Sequence, residues 1–140
     1  MVERNLIKDI NKMHKKFGVN RDVNKLSDED LRRYFKFRTD LLREGFEELC
    51  SSENYDEAVD ALIDICVVTL GTLNAFDVDI NKAWERVHEA NMKKEVGIKK
   101  TRPNPFGLPD LIKPGGWIAP NHLDNGGLLK KVFNRLDNSV

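Results

Sequence analysis

With 140 residues, 23 basic against 23 acidic side chains and 2 cysteines, the chain has room for one ordinary domain with its own core. It has no surplus charge to draw it to a nucleic acid polymer or an anionic bilayer. Cys50 and Cys66 lack metal-ligand spacing and make a poor disulfide framework, which points to a reducing cytoplasm.

The N-terminal stretch MVERNLIKDINKMHKKFG mixes charge with apolar residues throughout and so lacks the apolar core of a signal peptide. Within it, Leu6, Ile10, Met13, His14 and Phe17 recur at helical spacing and Gly18 follows as a stop, predicting a first amphipathic helix over 4–17 and then a loop. Ser27-Asp28-Glu29-Asp30 has the form of a capping box. It opens a long second helix with Leu31, Tyr34, Phe35, Leu41, Leu42, Phe46 and Leu49 on its apolar side, ending near Cys50. The polar SSEN turn leads into a third helix, apolar nearly all round, whose Gly71 suggests close approach of another helix. Its most apolar run, ALIDICVVTLGTLNAF, contains Asp64 and Asn74 and reads as too short and too polar for a membrane span.

Phe76-Asp77-Val78-Asp79 marks the end of that helix, and Asp79 is placed to cap a fourth, INKAWERVHEANMKKEV, that stops at Gly97. From Lys99 onward, TRPNPFGLPDLIKPGGWIAPN is crowded with Pro and Gly and is expected to be neither helix nor central strand. Leu128, Leu129, Val132 and Phe133 allow a short last helix that docks on the body or on a neighbouring subunit. No β-hairpin signal stands out. The expected architecture is an all-α, four-helix bundle over 1–98 with an irregular Pro/Gly-rich C-terminal arm over 99–140.

Chemistry concentrates in the acids. Glu44, Glu47 and Glu48 crowd one stretch of the second helix, where like charges at helical spacing repel by about 0.2–0.5 kcal/mol per pair, so a compensating cation is expected. Glu57, Asp60 and Asp64 share a face of the third. An antiparallel hairpin of the two helices would oppose these faces, and oxygen-only ligands favour Mg²⁺ or Mn²⁺, with water and substrate phosphate completing the shell. Such runs are more often solvated faces than sites. Asp64 stands apart, because its apolar neighbours suggest burial and hence a need for a partner or a metal. On the fourth helix, Lys82, Asn91 and Lys94 can offer donors to an anion, as can His88. Trp84 and Trp117 can stack on a base, although a packing role is as good a reading, and His14 is equally ambiguous.

An ExxE at Glu44 to Glu47, an ExxD at Glu57 to Asp60 and Asp64 one turn on resemble the all-α nucleotide pyrophosphohydrolases of the MazG and phosphoribosyl-ATP pyrophosphohydrolase superfamily. DALIDICVVTLGTLNAFDVDINKAWERVHEANMKK is closest to the phosphoribosyl-ATP pyrophosphohydrolase-like branch, and KPGGWIAPN resembles its Pro-rich ending. Many members have two adjacent acids where this chain reads Glu44-Gly45, and Glu where it has Ala61. Two ligand registers result: Glu44, Glu47, Glu57 and Asp60 follow the motif spacing, whereas Glu44, Glu48, Asp60 and Asp64 follow the surrounding apolar pattern, and the second is preferred.

The resemblance implies Mg²⁺-dependent cleavage of a nucleoside triphosphate between its α and β phosphates. Glu47 or Glu48 would act on the attacking water, while Lys82, Asn91, Lys94 and His14 would bind substrate. It also implies a homodimer or homotetramer. Phosphoribosyl-ATP is the competing substrate, and a non-catalytic helical interaction module is the reading from a different class.

Overall fold

The computed structural model describes residues 3–102, 106 and 110–133; the arm at 103–105, 107–109 and 134–140 lies outside the described residues. Its helices are α1 (Leu6–Phe17), α2 (Val19–Val23), α3 (Asp28–Cys50), α4 (Tyr55–Ala75), α5 (Ile80–Met92) and α6 (Leu129–Phe133). A two-residue ribbon joins β1 (Glu95–Val96) to β2 (Leu111–Ile112). The chain is thus all-α in class, as the periodicity predicts. It divides into two units, one of the described residues up to Ile80 together with those from Asn125, the other Asn81–Asp124.

In the first unit each helix end has a local cause. Asn5 Oδ1 accepts from Lys8 N at 3.0 Å to start α1, and Gly18, at φ 69°, ends it with its N–H turned back to the last carbonyls. Where a loop was expected, α2 begins directly after that left-handed glycine. Ser27 Oγ accepts from Asp30 N at 3.1 Å to open α3, and Asn54 Oδ1 accepts from Glu57 N at 2.9 Å to open α4. Helix α4 ends where Asp77 turns to φ 58°, a conformation Asp tolerates better than most side chains.

The core of this unit gathers Val23, Leu31, Ala75, Phe76 and Val132 from four stretches of chain. Phe76 is fully buried, with the Phe35 ring edge-on at 5.8 Å, and Phe133 packs edge-on against Phe35 at 5.5 Å. The chain is led back to this core by Asn125. Its Oδ1 accepts from Asp79 N and its Nδ2 donates to Asp79 O, both at 2.9 Å, and Leu128 N then donates to Phe76 O at 2.7 Å. Asn125→Ala is expected to remove both part-buried hydrogen bonds to the Asp79 backbone and to lower stability by about 1–3 kcal/mol, measured by urea unfolding.

Gly71 supports the sequence expectation of close approach. A Cβ there would lie 2.8 Å from Arg38 Nη2 of α3 and 3.2 Å from His14 Nε2 of α1. Arg38 is fixed by donating from Nε to Thr72 Oγ1 at 2.9 Å and from Nη2 to Val68 O at 3.0 Å.

Three expectations need correction. Asp64 is exposed rather than buried, because Leu62 and Ile63 beside it on α4 are themselves half or more exposed. Phe46, assigned to the apolar side of α3, is exposed for the same reason: none of the described residues covers it. The run containing Asp64 also belongs to a 21-residue helix that is, by length and composition alone, long and apolar enough to cross a membrane.

In the second unit, α5 stops at Met92 instead of continuing to Gly97. The chain then pairs antiparallel with a segment of the arm, Glu95 opposite Ile112 and Val96 opposite Leu111, so the arm contributes a short strand that sequence spacing did not suggest. Trp117 Nε1 donates to Ala90 O at 2.7 Å, and Asp124 accepts from Arg86 Nη1 at 2.5 Å and from Nη2 at 2.9 Å.

Candidate active site

Helices α3 and α4 form the expected antiparallel hairpin. Gly45 lets Ile65 approach, with Cγ1 only 3.1 Å from where a Cβ would stand, while Glu48 and Ala61 line one cavity nearer the turn. This register sets Glu48 about level with Asp60, and Glu44 about level with Asp64 one turn further from the loop. Glu44 is far from level with Glu57, roughly 13 Å along the axis at 1.5 Å per residue.

The cavity at the turn, about 250 Å³, is lined by Glu48, Ser51, Ser52, Glu57, Asp60 and Ala61. Ala61 is buried at its base and contributes no charge. Glu57 is partly committed to the turn, since its Oε2 accepts from Glu53 N at 3.0 Å. Both serine hydroxyls donate to Glu48 O, from Ser51 at 3.2 Å and Ser52 at 3.0 Å, holding the last turn of α3. Glu48 and Asp60 keep free carboxylates.

The cation expected to compensate the crowded acids is not found among the described residues. Among the described residues, no ion pair uses Glu44, Glu47, Glu48, Asp60 or Asp64. The nearest arginine in sequence, Arg43, pairs with Asp40 at 3.3 Å. No group of three His, Cys, Asp or Glu side chains among the described residues converges as a ready metal cage. What stands there is an open, oxygen-only donor set beside water. Its chemistry suits a hard hydrated cation that keeps several waters, and not a soft metal needing nitrogen or sulfur.

The other sequence candidates lie elsewhere. Glu47 is exposed next to Glu48 but does not line the cavity. His14 is buried, 4% exposed, between α1 and α4, where its ring donates from Nδ1 to Asn74 Oδ1 at 2.7 Å and Asn74 Nδ2 donates to Asn11 Oδ1. The structure thus places His14 in the packing between α1 and α4.

Burial holds the imidazole pKa below its ordinary 6.5, against the raising effect of the Asn74 hydrogen bond, and Arg38 lowers it further. The folded state therefore favours the neutral ring. Stability from this site is full above pH 6.5 and is lost as pH falls from there toward the lower native value, because the unfolded chain takes up its proton first. His14→Gln is expected to flatten that part of the pH–stability curve, which thermal melts across pH 5 to 7 would show.

In the second unit, Lys82 reaches Asp124 at 2.9 Å, joining Arg86 there, so its charge is already matched within the protein. The Arg86 hydrogen bonds first, and then Lys82, hold the Asp124 carboxyl well below the usual carboxylate range. Sequence reasoning missed Asp124, and no local signal marks it, since the partners are far apart in the chain. Asn91 is exposed on α5, and Lys94 Nζ lies 5.4 Å from the centre of the Trp117 ring.

The family model of phosphoribosyl-ATP pyrophosphohydrolase matches residues 11–91, from α1 through almost all of α5, and so includes both acidic helices. Comparison with curated proteins and with solved structures gave no match.

Proposed function

Since the chain belongs to the phosphoribosyl-ATP pyrophosphohydrolase family and is a nucleotide pyrophosphohydrolase, we propose that it hydrolyses a nucleoside triphosphate between the α and β phosphates, with Mg²⁺, to a monophosphate and pyrophosphate. The observation that carries this reading is the set of unpaired carboxylates on facing helices at the α3–α4 turn, within the matched segment. Glu48 and Asp60 would hold the metal, with Glu44 and Asp64 one turn further along. The register supports that set over the one pairing Glu44 with Glu57. When bound, Mg²⁺ or Mn²⁺ would neutralise charge on the phosphate oxygens and lower the pKa of an attacking water.

The protein's own part is to present these oxygens without a competing cation and to orient the water. Of the two candidate bases, Glu48 lines the cavity and Glu47 does not, so Glu48 is favoured for water positioning. On the phosphate side, Lys94 is favoured over Lys82, whose charge Asp124 already engages.

Phosphoribosyl-ATP is a second substrate reading that the family assignment supports equally, and it involves the same bond. A screen of pyrophosphate release from the common ribo- and deoxyribonucleotides and phosphoribosyl-ATP, with and without Mg²⁺, tests both. Turnover of one class names the substrate, and release of no pyrophosphate from any of them rejects the reading.

The working form is proposed to be a homodimer or homotetramer acting in the cytoplasm. Phe37, Phe46, Val59, Leu62 and Ile63 are all half or more exposed on α3 and α4. So many large apolar side chains are better covered by a second copy than left in water. Light scattering at micromolar concentration is expected to give at least twice the 16.1 kDa chain mass. A monomer mass would contradict it.

A further inference from the structure

The second unit holds a cavity of about 840 Å³, lined only by its own residues from α5, the turn after it and the 114–124 segment. That volume lies within the usual span of small-molecule sites, about 300–1,000 Å³. Its walls are largely apolar. Trp117, Ile118 and Leu123 border it, the last two 84% and 86% exposed, so large apolar side chains stand open around a concave surface. Gly115 and Gly116, also in the lining, add no bulk, and a Cβ on either would meet nothing within 4 Å.

The polar part of the lining has a definite charge pattern. Arg86 and Asp124 neutralise each other, with Nη1 and Nη2 donating at 2.5 and 2.9 Å. Glu89 and Lys93 remain. They stand four residues apart with the acid first, the order that favours an ion pair along a helix. Neither takes part in an ion pair among the described residues. Helix α5 ends at Met92, so Lys93 already lies outside it. The cavity therefore presents one free carboxylate and one free ammonium group with no net charge between them. A simple anion would satisfy Lys93 and be opposed by Glu89. A ligand carrying both signs would satisfy both.

The aromatic wall sets the rest of the ligand. Trp117 is pinned by Nε1 donating to Ala90 O at 2.7 Å. Lys94 and Lys113 Nζ stand 5.4 and 5.0 Å from its ring centre, but neither lines the cavity. The border of the indole with the cavity is thus left to a flat apolar group, packed by offset stacking or edge contact.

We propose that this cavity binds a free aromatic amino acid, its ammonium group at Glu89, its carboxylate at Lys93 and its ring against Trp117 and Ile118. The site is independent of the reaction proposed above, and none of the residues assigned to that reaction lines it.

Titration calorimetry of the full chain with L-phenylalanine and L-tryptophan tests this, and saturable binding at one site per chain is expected. Glu89 and Lys93 are exposed, so Glu89→Gln and Lys93→Gln should leave the melting temperature unchanged while each weakens binding roughly tenfold. Phenethylamine, which lacks the carboxylate, should bind Lys93→Gln no worse than wild type. 3-Phenylpropionate, which lacks the ammonium group, should bind Glu89→Gln no worse than wild type. No saturable binding of either amino acid, or equal affinity in wild type and both variants, overturns the proposal. Tighter binding of 3-phenylpropionate than of phenylalanine by wild type would also overturn it, since the cavity would then be an anion site.

Discussion

Replacing Glu48 by Gln or Asp60 by Asn is expected to slow pyrophosphate release by roughly 10²–10³-fold, the scale of removing one preorganised group that stabilises developing charge. Each change keeps the side chain's size and removes an anion that no cation among the described residues pairs with. Stability should therefore hold or rise, because repulsion at the turn is relieved. That combination distinguishes a site from a structural ion pair, whose loss would lower both activity and melting temperature. Glu47→Gln, one position away and outside the cavity, is the internal control and should lose less than about tenfold. Asp64→Asn tests the second layer of the ligand set. Unchanged turnover at saturating Mg²⁺ would remove Asp64 from the assignment and leave the Glu48–Asp60 pair standing.

Ending the chain at Asp124 is expected to unfold most of the first unit. The segment from Asn125 onward supplies the two-sided clamp on Asp79, the Leu128 bond to Phe76 O, Val132 within the core and the Phe133 ring against Phe35. Truncating single large core side chains costs about 2–5 kcal/mol each. Domains of this size are stable by only about 5–15 kcal/mol in total, so losing all these contacts together should consume most of that margin. Circular dichroism should show reduced helix content and a broad, early melt. A sharp transition within a few degrees of the intact protein would mean that the helical body does not need its C-terminal segment.

Gly127→Ala probes the same return path with one atom. Gly127 sits at φ 51°, and an added Cβ would overlap the Phe76 carbonyl oxygen.

Much of the fold was legible because its information is local. Gly18, Ser27 and the SSEN turn act within one helical turn of the ends they set, and the 3.6-residue apolar pattern fixes α1, α3 and α4. The end of α5 was not legible. Lys93 to Val96 continue the pattern and hold no breaker, and what stops the helix is pairing with residues 111 and 112, a partner distant in sequence. A two-residue strand is also too short to show alternation.

Asp64 was misread for a different reason. Apolar neighbours argue burial only if something covers them, and in one copy Leu62 and Ile63 lie open. The candidate site was legible as two acidic helix faces, but the spacing allowed two ligand registers. Only the contact of Gly45 with Ile65 and the shared cavity of Glu48 and Ala61 show which acids stand level. Lys82 and Lys94 looked alike in sequence, and Asp124 and Trp117 separate them.

The central claim is cleavage between the α and β phosphates by an acidic, metal-dependent site. Phosphorus NMR of the products formed from the preferred nucleotide in Mg²⁺ tests it most directly. The account predicts a nucleoside monophosphate, or its phosphoribosyl derivative, with one pyrophosphate per turnover and none when the metal is chelated. Orthophosphate with a nucleoside diphosphate, or undiminished turnover in EDTA, would contradict it.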